Sequence, residues 1–186
     1  DTVKIDLDIP QTALRFGRIG LARKDADFIP AMVLNHIFGG GAFQSRLFKE
    51  VREKRGLAYS VWSHMVANDH AALLFGGTST KNERAGEAIS VIREQLNSLA
   101  TEGPSDDEID KAKKYITGSY ALRFDSSTKI AGQLVQMQLE ELGIDWMQRR
   151  NALVNAVSRN DVMRAAHRMF GDGRLLIAAA GRPQGL

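Results

Sequence analysis

Strand-like and helix-like patterns occupy different parts of this sequence. Segments rich in alternating apolar or β-branched residues lie at residues 12–22, 57–63, 70–80 and 174–181. Between the third and fourth of these segments, apolar residues recur mostly at helical spacing. This segregation predicts an α+β fold, with helices packed on one face of a mostly antiparallel sheet. Because neither a Pro/Ser-rich linker nor an internal repeat occurs, we expect a single domain over residues 1–186, with residues 1–10 as an N-terminal lead-in.

Two helix starts carry a capping-box pattern. Ser105 and Glu108 form S-x-x-E directly after a Gly-Pro break, which predicts a long helix running to about Phe124. Thr80 and Glu83 form T-x-x-E at the start of the preceding helix. Other helices are predicted at residues 27–38, 126–143, 144–156 and 158–170.

Composition excludes several classes of function. The chain has no cysteine, so disulfides, thiolate catalysis, iron–sulfur clusters and cysteine-type zinc sites are ruled out. The net charge is +3, and the Lys and Arg residues are interleaved with acids. The sequence has no basic stripe with interleaved aromatic residues, so nucleic-acid binding is not predicted. No apolar run approaches the ~20 residues that span a bilayer, so no membrane partner is expected. Since the chain begins at Asp1, we expect a processed or excised piece of a longer chain.

The histidines and the glycine run give no metal or nucleotide motif. None of the four histidines, His36, His64, His70 and His167, lies in H-x-x-E-H or H-E-x-x-H, so no metal ligand is predicted. His64 and His70 bracket the predicted hairpin, where they either approach each other or are solvated loop residues. The run at residues 39–41 lacks the rest of a P-loop, and a helix C-cap with a close-packed turn is the favoured interpretation.

The segment at residues 49–63 begins as a helix and ends as a strand. Gly56 marks the end of the helix, and the following residues are β-branched and aromatic. On the helix, Arg52 lies at the edge of the apolar stripe, one turn beyond Phe48, and Tyr59 follows it seven residues later. An arginine on the core side of a helix needs an acceptor, because it does not lose its charge.

Two roles for Arg52 stay open from residue type alone. One is a buried salt bridge to an acid of the helical block, such as Glu140 or Glu141, and the other is ligand binding. The flanking carboxylates Glu50 and Glu53 are interpreted as a solvated helix face, with partners Lys49, Lys54 and Arg46.

A family resemblance favours ligand binding. "FGGGAFQSRLFKEVREKRGLAYSVWS", with Arg52-x6-Tyr59 inside it, resembles the signature of the second, zinc-free half of the insulinase/pitrilysin (inverzincin) zinc metallopeptidases. "EGPSDDEIDKAKKYITGSYALRFDSSTKIAGQL" is similar to the family's helical block, and the likeness extends over residues 11–181. The resemblance implies two similar α/β halves around a chamber. The first would bind zinc through H-x-x-E-H, and the second would hold substrate near the scissile bond through Arg52 and Tyr59.

The absence of H-x-x-E-H changes what the resemblance implies for this chain. We expect no catalytic residue and no bound cofactor in the chain alone, with zinc on a partner domain of the parent chain or on a companion subunit. The expected function is the substrate-binding half of a peptide-cleaving metallopeptidase. The alternative is a non-catalytic structural or assembly subunit, as in the related core proteins of the respiratory bc complex. Further expected partners are a peptide substrate and, for the isolated chain, a second copy in a homodimer. The compartment stays open, with the resemblance favouring the periplasm over the cytoplasm.

Overall fold

A computed structural model of the chain describes residues 1–68 and 70–186. Its strands are β1 (Thr2–Asp6), β2 (Gln11–Ile19), β3 (Ala58–Ala67), β4 (Ala72–Lys81) and β5 (Leu176–Gly181). They form one sheet in the order β1-β5-β2-β4-β3. The β1–β5 pair is parallel and the other pairs are antiparallel. The predicted α+β class with a mostly antiparallel sheet is confirmed.

Helices fill the middle of the chain. The α-helices are α1 (Phe28–Asn35), α2 (Ala85–Thr101), α3 (Asp106–Gly118), α4 (Ser127–Leu139), α5 (Trp146–Ala156) and α6 (Arg159–Phe170). Wider, π-helical segments are His36–Gly40 and Phe48–Lys54. Short 3₁₀ turns are Ala42–Gln44, Asn82–Arg84 and Ser119–Phe124. None of the helices built by the described residues is long and apolar enough to cross a lipid bilayer.

The helices cover one face of the sheet, as predicted. Along β2, Leu14 and Phe16 point into the core while Arg15 between them is exposed. Phe16 packs edge-on against Phe38 of the helical layer, with ring centroids 6.4 Å apart, and Phe38 in turn packs on Phe170. Burial of this alternating apolar set is the main stabilising term for the two layers.

Two predicted boundaries differ from the structure. Residues 1–10 were expected to be a lead-in, but β1 pairs with β5 in register from Thr2 opposite Ile177. Val3 and Ile5 alternate with polar residues as in a strand, but every residue of β1 is exposed, so this edge strand is held by backbone pairing and not by burial of an apolar face. The helix predicted at residues 126–143 ends at Leu139, and Glu141 follows with φ 52°.

The two capping-box predictions have opposite outcomes. The Ser105 hydroxyl accepts from the Glu108 amide at 3.2 Å, and the Glu108 carboxylate accepts from the Ser105 amide at 2.8 Å. That prediction is confirmed, although the long helix tightens into a 3₁₀ turn after Gly118. The Thr80 prediction is wrong. Thr80 lies inside β4 and its hydroxyl donates to the Leu57 carbonyl at 2.6 Å, so strand pairing takes the group that was expected to cap a helix.

The glycine run lies partly inside the first helix. Gly39 and Gly40 belong to the π-helical segment, and Gly41 is its C-cap without positive φ, so the C-cap interpretation is confirmed for Gly41 and wrong for the other two. The close-packed turn is confirmed. A Cβ atom on Gly39 would lie 2.5 Å from the Ser63 hydroxyl and 2.9 Å from the Ser63 amide nitrogen on β3. Glycine at this position lets the helix approach the strand that carries Tyr59.

We expect Gly39→Ala to lower the free energy of unfolding by about 2 kcal/mol, because the added methyl group overpacks a contact with backbone. Gly132→Ala is the matched control, since a Cβ atom at Gly132 in α4 meets nothing within 4 Å. That change should stabilise the chain by about 0.5–1 kcal/mol through helix propensity. Urea unfolding of both variants measures the difference, and equal stabilities would contradict the close approach.

Candidate functional site

The Phe48–Lys54 segment positions Arg52 beside the start of β3. The chain reverses at Gly56, whose φ of 57° is in the left-handed region that glycine favours. The Gly56 amide donates to the Arg52 carbonyl at 3.0 Å, and the Leu57 amide donates to the Val51 carbonyl at 2.8 Å. These bonds close the helix end and direct the chain immediately into the strand. Gly56 was correctly predicted as the end of this helix.

A β-bulge places Tyr59 on the surface. Between Ala58 and Val61, β3 advances three residues while β4 advances two, so β3 carries one extra residue. Tyr59 and Ser60 are consecutive and both exposed, which a regular strand with alternating faces would not allow. The Thr78 hydroxyl donates to the Ser60 carbonyl at 2.7 Å and fixes the irregular backbone. The bulge therefore redirects Tyr59, whose side chain is 84% exposed.

Arg52 lies between two aromatic rings. Its guanidinium carbon is 4.7 Å from the Phe48 ring centroid and 4.5 Å from the Tyr59 ring centroid. Phe48 is itself held edge-on by Phe43 at 4.9 Å, and Phe43 is 65% exposed. Cation–π contacts of this kind hold the plane of a guanidinium while leaving its N–H donors available. Sequence analysis missed Phe43, and no local signal connects this residue to Arg52.

The salt-bridge alternative for Arg52 is wrong for the acids that were considered. Glu140 pairs with Arg23, and Glu141 pairs with Lys24. Arg52 forms no ion pair and no side-chain hydrogen bond with any of the residues that the structure describes. Among the described residues, the contacts found for its guanidinium are therefore the two rings.

Glu50, two residues before Arg52, forms ion pairs with other cations. Glu50 accepts from Lys54 at 2.6 Å and from Arg55 at 2.5 Å. Burial raises the pKa of Glu50, but the hydrogen bonds from these two cations outweigh burial, and its pKa lies below the ordinary value. Lys54 was correctly predicted as a partner of this helix face. Arg46 was predicted there as well, and that prediction is wrong.

Arg46 instead reaches inward to the helical block. Its Nε and Nη2 donate to the two carboxylate oxygens of Glu108 at 2.7 and 2.8 Å. Further donations go to the Ser98 hydroxyl and to the Gly103 carbonyl, both at 3.2 Å. Burial raises the pKa of Glu108, but hydrogen bonds from Arg46 and from the Ser105 amide hold it at about 2. This cluster anchors the chain just before the Arg52 helix.

The histidines do not assemble a metal site. His36 packs against Tyr115 with ring centroids 4.9 Å apart, and burial lowers the His36 pKa. His64 lies within β3, not in the hairpin loop, and packs against Trp62 at 5.0 Å. Across residues 1–68 and 70–186, no three His, Asp or Glu side chains come close enough together to hold a metal ion. These residues do not fit the zinc site of an inverzincin peptidase.

Known proteins resemble this chain in sequence and in fold. A family model described as "peptidase M16 inactive domain" matches residues 1–116. An uncharacterized zinc protease of Streptomyces coelicolor is 33% identical over 164 residues, which cover 87% of this chain and 35% of that protein. A non-peptidase homolog of Helicobacter pylori is 31% identical over 97 residues, covering 52% of this chain and 22% of that protein.

A solved structure shares the whole fold. The crystal structure of a peptidase M16 inactive domain from Pseudomonas fluorescens superimposes with a TM-score of 0.89 at 27% identity, covering 98% of this chain and 43% of that one. The chain thus spans about a third of the curated zinc protease and under half of the solved structure. It belongs to the family of peptidase M16 inactive domains, the zinc-free domains of the insulinase/pitrilysin peptidases that its sequence resembles.

Proposed function

We propose that this chain is the substrate-binding, zinc-free half of a peptide-cleaving metallopeptidase. In this proposal, Arg52 and Tyr59 hold the peptide near the scissile bond, opposite a zinc site on another domain of the parent chain or on a companion subunit. The observation that carries the proposal is the Arg52 guanidinium held between two rings, without an acid partner among the described residues. A homodimer of the isolated chain remains a prediction.

The chemistry of the two side chains fits this role. A guanidinium donates two parallel hydrogen bonds to a carboxylate, or charge-assisted bonds to a peptide carbonyl. The Tyr59 hydroxyl can donate to the negative charge that develops on the attacked carbonyl oxygen. Both groups are presented at the start of β3, which is an edge strand of the sheet. An extended peptide can add to such an edge through backbone hydrogen bonds, which would align it past both side chains.

A structural or assembly subunit is the second candidate function. The similarity to a non-peptidase homolog supports it, because a domain of this kind also occurs in a protein with that description. The two candidates differ in the need for a zinc-bearing half. The presence of H-x-x-E-H in the parent chain or in a companion chain would favour the peptidase proposal.

We expect Arg52→Lys to lower kcat/KM for a peptide substrate by about tenfold to a hundredfold in the parent protein, mainly by raising KM. Lysine keeps the charge but loses the planar fork, and a charge-assisted hydrogen bond contributes about 1.5–3 kcal/mol. Arg55→Lys is the matched control, because Arg55 is three residues away and pairs with Glu50. Steady-state kinetics with both variants test the proposal. An unchanged kcat/KM for Arg52→Lys, with Arg55→Lys also unchanged, would reject it.

A further inference from the structure

A cavity of about 470 Å³ opens beside β3, and neither Arg52 nor Tyr59 lines it. Residues of α1, the π-helical segment His36–Gly40, α3, the following 3₁₀ turn, α5 and β3 line it. The described residues that line the cavity include two arginines and two histidines but no acid: Arg123, Arg150, His36 and His64. The mechanism proposed above uses none of these side chains.

Arg150 is the most unusual of these residues, because it is a buried cation without an anionic partner. It is 6% exposed, and its guanidinium carbon lies 4.0 Å from the Tyr120 ring centroid. Nη1 donates to the Ile116 carbonyl at 3.3 Å and to the Asn151 side chain at 3.0 Å. Nε and Nη2 donate to none of the described residues, and no carboxylate among those residues forms an ion pair with Arg150. An arginine stays charged when it is buried, so this arrangement favours an anion that the chain itself does not supply.

Arg123 adds a second positive charge to the same cavity. Its side chain is exposed and forms no ion pair with any residue that the structure describes. Burial lowers the pKa of Arg150, and the like charge of Arg123 lowers it further. Two guanidinium groups that face one cavity without an acid between them repel each other. An anion between them would relieve both the repulsion and the burial cost.

The rest of the lining indicates what carries the anion. Met32, Ile116 and Leu122 supply an apolar wall, and the imidazoles of His36 and His64 supply further hydrogen-bonding groups. We propose that this cavity binds a carboxylate attached to an apolar group, either the C-terminal residue of a peptide or a small organic acid. The carboxylate lies against Arg150 and Arg123, and the apolar part contacts the wall. This site is separate from the proposed role of Arg52 and Tyr59, and it can exist without that role.

The test is calorimetric titration of the 186-residue chain at constant pH and ionic strength. The probes are an acetylated peptide ending in leucine with a free carboxylate, the same peptide with a C-terminal amide, hexanoate and inorganic phosphate. We expect saturable binding of at least one of the two acids, and at least tenfold weaker binding of the amide. Whichever of the two acids binds more tightly shows whether the carboxylate belongs to the C-terminal residue of a peptide or to a small organic acid. Equal binding of acid and amide, tighter binding of phosphate than of both acids, or no binding would overturn the proposal.

Three variants locate the site. Arg123→Gln changes an exposed residue and should weaken binding of the acid about tenfold. Arg150→Met should abolish binding without lowering the melting temperature, because it removes a buried charge that has no counterion. Arg149→Gln is the control, because this substitution also removes one positive charge from α5. Arg149 itself pairs with Asp145 outside the cavity. If Arg150→Met does not fold, Arg123→Gln decides alone. Undiminished binding by that variant would show that the anion binds elsewhere.

Discussion

Arg46→Met is expected to lower the free energy of unfolding by about 3 kcal/mol, among the largest stability effects in this chain. Methionine keeps most of the aliphatic volume, so the loss comes from the polar contacts. The Arg46 and Glu108 side chains are only 18% and 25% exposed. Removing the cation leaves a mostly buried carboxylate with only its capping bonds to Ser105.

The pH dependence of the free energy of unfolding tests whether Glu108 causes the loss of stability in Arg46→Met. Its pKa is about 2 in the folded chain, compared with an ordinary value of 4.5. A depressed carboxyl pKa stabilises the folded state above the unfolded pKa, and this stabilisation is lost as the pH falls from about 5 toward 2. In Arg46→Met the folded pKa should rise. The stability gap between the variant and the original chain should therefore be wide at pH 7 and narrower at pH 3.

Urea unfolding at both pH values measures this gap. The matched control is Arg84→Met, because Arg84 pairs with Glu87 on the exposed start of the second helix. An exposed pair of this kind contributes about 0–1 kcal/mol, so its removal should have little effect. A loss for Arg46→Met no larger than that of the control would mean that the buried fork does not stabilise the fold.

The sequence predicted those features that depend on neighbours within one turn of helix. The Ser105 and Glu108 capping box is confirmed, because both of its hydrogen bonds are local. The same rule failed at Thr80, whose hydroxyl bonds a residue 23 positions away. It also failed for Arg46, which was expected to pair on its own helix face and instead binds an acid 62 positions away. Local spacing contains no information about such distant partners.

The candidate site divides in the same way. The position of Arg52 one turn beyond Phe48 is a local property, and the sequence showed it. The contact with Tyr59 depends on a bulge that is defined only by the pairing of β3 with β4. The cavity around Arg150 combines residues from six separate elements, so no sequence pattern predicted it. What sequence analysis could establish was which residue types needed partners, and the fold determined which partners they have.

Tyr59→Phe is expected to reduce kcat of the parent protein by about 10²–10³-fold, with KM nearly unchanged. This is the size of effect seen when one donor to a developing oxyanion is removed. The substitution removes a single hydroxyl and keeps the ring against which Arg52 lies at 4.5 Å. Because the side chain is 84% exposed, the melting temperature should also stay constant.

Comparison with Tyr59→Leu separates the two roles of this side chain. Leucine removes the ring as well as the hydroxyl, so the Arg52 guanidinium loses one of the two faces that hold its plane. We therefore expect KM to rise for Tyr59→Leu in addition to the fall in kcat, whereas Tyr59→Phe should change kcat alone. Tyr115→Phe serves as the control, since Tyr115 is also exposed but packs against His36. If Tyr59→Phe keeps full kcat while Tyr59→Leu raises KM, the hydroxyl has no part in catalysis and Tyr59 acts only by orienting Arg52. If both variants keep wild-type kinetics in a parent protein that cleaves peptides, neither role holds, and the aromatic contacts of Arg52 are a feature of folding alone.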